Sequence, residues 1–182
     1  MFDVIIKGAR IIDGTGNPWF KSDIGIYNGK IETIQRLPAA RASKAINARG
    51  LIVSPGFIDA HSHSDRTLLA DPSPDSAVRQ GVTTEIVGNC GFSDAPILSK
   101  NKDLIMKRVR TYVPKVDVDW KNFGEYLERV EKHGIPRNVA CLVGHNTIRE
   151  GVMGLEDRKA TKNELEKMKN YQRAYHYKGL YA

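Results

Sequence analysis

The sequence predicts an α/β fold: a small all-β module that leads into a parallel sheet whose strands alternate with helices. Three observations carry this reading. Residues 1–55 are rich in Val and Ile, are punctuated by Gly and Asn-Gly, and show no helical period. Beyond them, apolar runs at Val53–Ala60, Val82–Val87 and Asn138–Val143 each end in a polar cluster. Between the runs lies helical sequence, clearest at Phe123, Tyr126, Leu127 and Val130, which share one helix face. Alternating β and α implies parallel strands. A (β/α) barrel or an open α/β sheet gathers active residues at the C-terminal ends of such strands.

In chain order, Phe2–Ile12 reads as a strand, broken by Gly14 to Pro18. Asp23–Tyr27 and Lys30–Gln35 read as a hairpin around Asn28-Gly29, a pair suited to the positive φ angles of a type I′ turn. Leu37–Ala48 is Ala/Arg-rich and receives no strand. Asp71-Pro72-Ser73-Pro74 starts a short helix through Ala77 to Gln80, stopped by Gly81. After the turn Gly88-Asn89-Cys90-Gly91 a long connection follows, then a helix from Asp119 to Lys132, ended by Gly134 and Pro136. Gly144-His145-Asn146 closes the third strand. Thr161 and Glu164 form a capping box for a last helix, with Leu165 and Met168 on one face and Gly179 as its stop.

The 182 residues suit one ordinary domain plus a small module, and 41% apolar residues suffice for a core. No apolar run approaches a bilayer span, so no membrane partner is expected. The N-terminus lacks a basic segment followed by an apolar one. Two cysteines make no disulfide framework, and a cytoplasmic setting with reduced thiols is the expectation. The net charge of +7 is spread along the chain and, apart from the last dozen residues, is not interleaved with aromatics on any one element, so nucleic acid is not the expected partner.

The chemistry centres on Pro55-Gly56-Phe57-Ile58-Asp59-Ala60-His61-Ser62-His63. Read as a buried strand and its end, the run puts Asp59, His61 and His63 on one face. Two imidazoles about 7 Å apart by that repeat converge on one ion, and neutral imidazole suits zinc and its neighbours. The competing reading is a pair of solvated loop histidines; the apolar run and the Pro-Gly punctuation favour the metal. Cys90 ends the second strand as the histidines end the first, which makes its thiolate a third ligand. The alternative is a buried structural cysteine. Cys141, between Ala140 and Leu142, reads as core. His145 either contacts substrate or caps its loop. Asp59 either orients a ligating histidine or packs beneath the strands. His133, at a helix C-terminus, and His176, between two tyrosines, read as surface residues.

Pro55 through His63 resembles the first barrel strand of the amidohydrolase superfamily in full. Gly81-Val82-Thr83-Thr84, Gly88-Asn89-Cys90-Gly91-Phe92-Ser93, Ala95-Pro96 and Val143-Gly144-His145 are similar to the N-acyl-D-amino-acid deacylases, or D-aminoacylases. The likeness runs from Phe2 to about Met168; the first motif marks only the superfamily, and Gly-Asn-Cys-Gly is far more specific. The resemblance implies that 1–55 is a small β-sandwich-like module, part of a composite β-sandwich. It implies that 56–182 is the start of a metal-dependent (β/α)8, or TIM-like, barrel with zinc at its mouth. His61, His63 and Cys90 would be the metal ligands, with Cys90 in the bridging role that a carboxylated lysine has in dihydroorotase- and hydantoinase-like relatives. His145 would bind substrate. The reaction implied is hydrolysis of an N-acyl-D-amino acid to a carboxylate and a D-amino acid. Zinc lowers the pKa of water and polarises the carbonyl, and an aspartate shuttles the proton.

A complete barrel takes about 250 residues, and 56–182 holds three β/α units. The family's further histidine ligands and its catalytic aspartate come from later strands. The chain therefore reads as an N-terminal portion, an incomplete barrel with no catalytic residue assigned, expected to be inactive alone. Glu85 and Asp94 are the carboxylates that could complete the site if activity were found. Competing functions are a cyclic-amide hydrolase of dihydroorotase or hydantoinase type, and a non-enzymatic fragment that needs a partner chain. Three units leave an exposed strand edge, a template for self-association.

Overall fold

The computed structural model describes residues 1–70 and 76–175, in two units that divide between Pro55 and Gly56. The helix start assigned to Asp71 through Pro74, His176 and the Gly179 stop lie outside the described residues.

In the first unit β1 (Phe2–Ile11) is the central strand. It pairs antiparallel with β2 (Phe20–Tyr27), which pairs antiparallel with β3 (Lys30–Gln35). Asn28 and Gly29 join the hairpin at φ 49° and 72°, the two positive angles a type I′ turn needs. On its other side β1 pairs in parallel with β4 (Ala42–Asn47) and with β5 (Ile52–Val53). Ala9, Ile11, Ile24 and Ala48 form the buried cluster, with Ile6, Ile26 and Val53 packed against it.

One expectation is corrected here. β4 lies in the stretch that received no strand: past its first residue every side chain is exposed, so no apolar alternation marked it. The five strands form one mixed sheet.

The second unit holds β6 (Phe57–Asp59), β7 (Val82–Val87) and β8 (Asn138–Cys141), all parallel and in that order. The helices are α1 (Ser76–Arg79), α2 (Lys102–Tyr112), α3 (Phe123–His133), α4 (His145–Met153) and α5 (Lys162–Tyr175). α3 begins after Asn122, whose side chain and Glu125 form a capping box, rather than at Asp119. It buries Phe123, Tyr126, Leu127 and Val130 against Val87, Ile105, Val109 and Val139. Thr161 and Glu164 cap α5 reciprocally, at 2.9 and 3.3 Å. Met168 is buried and Leu165 is exposed, so the two do not share the buried face.

The run Val53–Ala60 is not one buried strand. Ile52–Val53 belongs to the first sheet, and β6 keeps three residues, with Phe57 60% and Ile58 67% exposed. β6 is an outer strand, so no neighbour covers its far side among the described residues. β7, in the middle, carries the buried charge: Glu85 pairs with Arg137 at 2.7 Å and also accepts from the Ser64 hydroxyl. α2 and α4 were not foreseen. α2 buries only Ile105 and Val109 among its charged residues, and α4 has no side-chain cap. No described helix is long and apolar enough to cross a membrane.

Candidate metal centre

His61 and His63 lie just past β6, in the turn that leads to a short 3-10 helix at Ser64–Thr67. Asp59 uses Oδ1 to accept from the backbone N–H of His61 at 3.0 Å, so it shapes the turn rather than gripping an imidazole. The two rings stand 5.6 Å apart between centroids and nearly perpendicular, at 68°. Cys90, past the end of β7, places Sγ 3.3 Å from His61 Nε2. One ligand atom from each of His61, His63 and Cys90 lies within 4.8 Å of the others, and all three residues are exposed.

The convergence comes from how the two strand ends are tied. Ser62 donates its N–H to Ile86 O at 3.0 Å. The Asn89 carboxamide donates to Ser62 O at 3.1 Å and Ile86 O at 2.7 Å, bridging the turn between the histidines to β7. Gly88, at φ 78°, lies so close to β8 that a Cβ there would fall 2.0 Å from Leu142 O. Cys90 itself sits in the left-handed region at φ 56°. A non-glycine residue held there is strained, and such strain persists where the surroundings over-determine it.

Those surroundings are the N-terminus of α4. Gly91 O accepts from the N–H groups of Asn146 and Thr147 at 2.8 and 3.2 Å, satisfying donors that a helix start leaves open. Ser93 N–H donates to Thr147 Oγ1 at 2.8 Å, and that hydroxyl donates to Ser93 O at 3.0 Å. Gly144 N–H donates to Ser93 Oγ at 3.0 Å. Asn101, fully buried, donates to Pro96 O and Thr147 O at 3.2 and 3.0 Å. Thr147 and Asn101 carried no sequence signal. The bonds that tie Thr147 to Ser93 and Asn101 to Thr147 span 54 and 46 residues of chain.

The other candidates are placed as follows. His145 is the exposed first residue of α4 and is not part of the cluster. Gly88–Gly91 and Cys141–Gly144 wall a cleft of about 460 Å³ beside Cys90, with Gln172 at its edge. Cys141 packs against the core, and burial pushes its thiol up to about 12, so it stays protonated at neutral pH. His133 is half-buried, with Nε2 2.7 Å from Ala70 O, which corrects the surface role expected of it. Neither Glu85, engaged by Arg137, nor Asp94 belongs to the cluster. Asp94 and Asp65 are buried carboxyls, each with Oδ1 lacking a hydrogen-bond partner among the described residues. Burial, then the charge of Asp65, pushes the Asp94 carboxyl up to about 7, against Arg108 and Arg66.

The amidohydrolase family profile matches residues 44–176. The chain belongs to the amidohydrolase family. Within that family it is 34% identical to a D-aminoacylase of Alcaligenes xylosoxydans xylosoxydans, across 93% of this chain and 34% of the relative. It is 37% identical to an N-acyl-D-aspartate deacylase of the same organism, across 92% of this chain and 33% of the relative. A crystal structure of D-aminoacylase superposes with a TM-score of 0.81 at 36% identity, covering 94% of this chain and 36% of that one. The N-acyl-D-glutamate deacylase of Bordetella bronchiseptica, complexed with zinc and a phosphonate mimic of the tetrahedral intermediate, superposes at 0.83 with 33% identity. It matches 95% of this chain and 36% of its own. This amidohydrolase chain thus spans about a third of the length of the relatives it matches.

Proposed function

We propose that this chain is part of a zinc-dependent hydrolase that deacylates N-acyl-D-amino acids, and that His61, His63 and Cys90 are its metal ligands. The observation that carries the reading is the convergence of those ligand atoms within 4.8 Å. The donor set fits the ion: imidazole nitrogen and thiolate sulfur bind zinc at about 2.1 and 2.3 Å. Tetrahedral ligands at those distances stand roughly 3.4–3.7 Å apart, close to the 3.3 Å between Cys90 Sγ and His61 Nε2. When bound, zinc supplies Lewis acidity, polarising an amide carbonyl and lowering the pKa of water towards 7.

The chain's own residues provide the setting. Asn89 and Asp59 hold the histidine turn, and α4 holds the loop that carries Cys90. On this reading the cleft lined by Gly88–Gly91 and Cys141–Gly144 seats the acyl-amino acid, and His145, next in the chain after Gly144, contacts it. No carboxylate joins the cluster among the described residues. On this reading no described carboxylate is placed to shuttle the proton, a loss of about 10²–10⁴ in rate, and the 182-residue polypeptide on its own is expected not to turn over.

On this reading unit 2 supplies three β/α units of a (β/α)8 barrel, and unit 1 contributes to a composite β-sandwich. The outer strands β6 and β8 each have one side without a strand neighbour among the described residues, which supports self-association by strand pairing. Two free cysteines suit a reducing, cytoplasmic compartment.

The test is zinc uptake by equilibrium dialysis beside a deacylase assay on N-acetyl-D-amino acids. One equivalent of zinc is expected, lost in Cys90→Ala and in His61→Ala, with no hydrolysis. Absence of uptake would sink the ligand assignment. Zinc-dependent, D-selective hydrolysis abolished by Cys90→Ala would overturn the inactivity and point to a carboxylate outside the cluster.

A further inference from the structure

Wholly within the first unit, and apart from the proposed metal ligands, four cations line one cleft of about 630 Å³. Lys7 comes from β1 and Lys21 from β2, while Arg36 follows β3 and Arg49 follows β4. Lys7 is half-buried and the other three are exposed; the N–H groups of Leu37 and Gly8 first, then Lys7 and Arg36, hold the Asp23 carboxyl below its usual range. Among the described residues none of the four has a carboxylate oxygen within salt-bridge distance.

Asp23 is the acid that lines the cleft, and the backbone already occupies it. Oδ1 accepts from Gly8 N–H at 2.7 Å and Oδ2 from Leu37 N–H at 2.8 Å. Asp23 is thereby a strut that joins β1 to the end of the hairpin, and it leaves a large surplus of positive charge.

The backbone is shaped around this cleft. The β1–β2 ladder slips its register between Ile6 and Ala9, a bulge at Lys7-Gly8. Bulges re-aim side chains and recur beside functional sites. Gly8 sits at φ 72°, and a Cβ there would lie 2.8 Å from Arg49 Cγ. The missing side chain is what allows the Arg49 stem to cross the bulge. The volume is in the range of small-molecule sites. Two guanidinium forks suit paired oxyanion oxygens, and two ammonium groups add compact charge.

We infer that the cleft formed by Lys7, Lys21, Arg36 and Arg49 around the Asp23 strut binds a small polyanion of the phosphate-ester or pyrophosphate class. This site is independent of the deacylase reading. It takes a ligand that bears several negative oxygens rather than a monoanion, because one charge leaves most of the positive surplus in place.

The test is titration of the full chain with inorganic pyrophosphate, by calorimetry and by amide NMR, at low and at physiological salt. Saturable one-site binding is expected, tighter than for inorganic phosphate and weaker at higher salt. Arg36→Gln with Arg49→Gln should weaken it about tenfold or more. Lys162→Gln with Lys167→Gln, an equal charge loss on α5, should leave it unchanged. The Gly8 and Leu37 amide resonances should move with pyrophosphate, a readout that does not depend on how well the variants fold. Binding that falls equally in both double variants, no saturation with pyrophosphate, or binding of a single-stranded oligonucleotide without binding of pyrophosphate would overturn the inference.

Discussion

Replacing Asp94 with asparagine should make the chain more stable at neutral and alkaline pH and leave it unchanged in acid. Asp94 is 3% exposed, and its Oδ1 has no hydrogen-bond partner among the described residues. The Trp120 indole donates to its backbone carbonyl instead, at 2.8 Å. Burial, then the charge of Asp65, pushes its carboxyl from an ordinary 3.8 up to about 7 when folded. Between those values the folded chain holds a proton that the unfolded chain has released. Stability is therefore fully present below about pH 4, declines as pH rises towards 7, and is level above. At about 1.4 kcal/mol per unit, the shift sets a ceiling of about 4 kcal/mol on the cost at pH 8. Local relaxation and water entry reduce this to roughly 2–4 kcal/mol. Asparagine has nearly the shape of the protonated acid and does not ionise, so it removes the slope. The assay is urea unfolding followed by tryptophan fluorescence in a Trp19→Phe background, so that Trp120 reports, with a chelator present, at half-unit steps from pH 4 to 8. Asp65, also raised by burial, leaves a residual slope in the variant. Curves for wild type and Asp94→Asn that stay parallel across that range would refute the reasoning, as would a variant less stable at pH 8.

Arg137→Met should cost about 3–5 kcal/mol in chemical denaturation, because it strands Glu85 as an uncompensated buried charge. Adding Glu85→Gln should recover most of that loss; a double variant no better than the single would show that the pair's charge is not the cause. Gly88→Ala meets Leu142 O at 2.0 Å in a left-handed backbone, so it should destabilise by at least about 2 kcal/mol or abolish soluble expression. Asn89→Ala leaves the Ser62 and Ile86 carbonyls short of a donor and should cost about 1–3 kcal/mol. It should also weaken zinc binding, measured by competition with a chromophoric chelator, while Asn89→Asp should do the same because a carboxylate cannot donate to either carbonyl.

Several parts of the fold were legible because local chemistry dictates them. Asn28-Gly29 specifies its turn by the φ angles it tolerates, and Thr161 through Glu164 specify a helix start by the donors they satisfy. The α3 stripe is legible because one face of it is buried against a sheet. β4 was not, since an outer strand with solvated side chains has no reason to alternate. Nor were α2 and α4: a helix held by one or two apolar residues, or capped by another loop's carbonyl, leaves little local trace.

The candidate site divides in the same way. The types of residue at positions 61, 63 and 90 named the donors, and their places after apolar runs suggested a common rim. That these donors meet was decided only in three dimensions. The parallel β6–β7 pairing, the Asn89 bridge and the docking of Gly91 on α4 bring Cys90 Sγ to 3.3 Å from His61 Nε2. The convergence of Lys7, Lys21, Arg36 and Arg49 was equally hidden, because those residues span four elements of the sequence. A sequence fixes which groups a chain carries and the local backbone they prefer, through sterics and short-range hydrogen bonds. Which distant groups come to share a few ångströms is set by strand register and loop docking, interactions between segments that have no local signature.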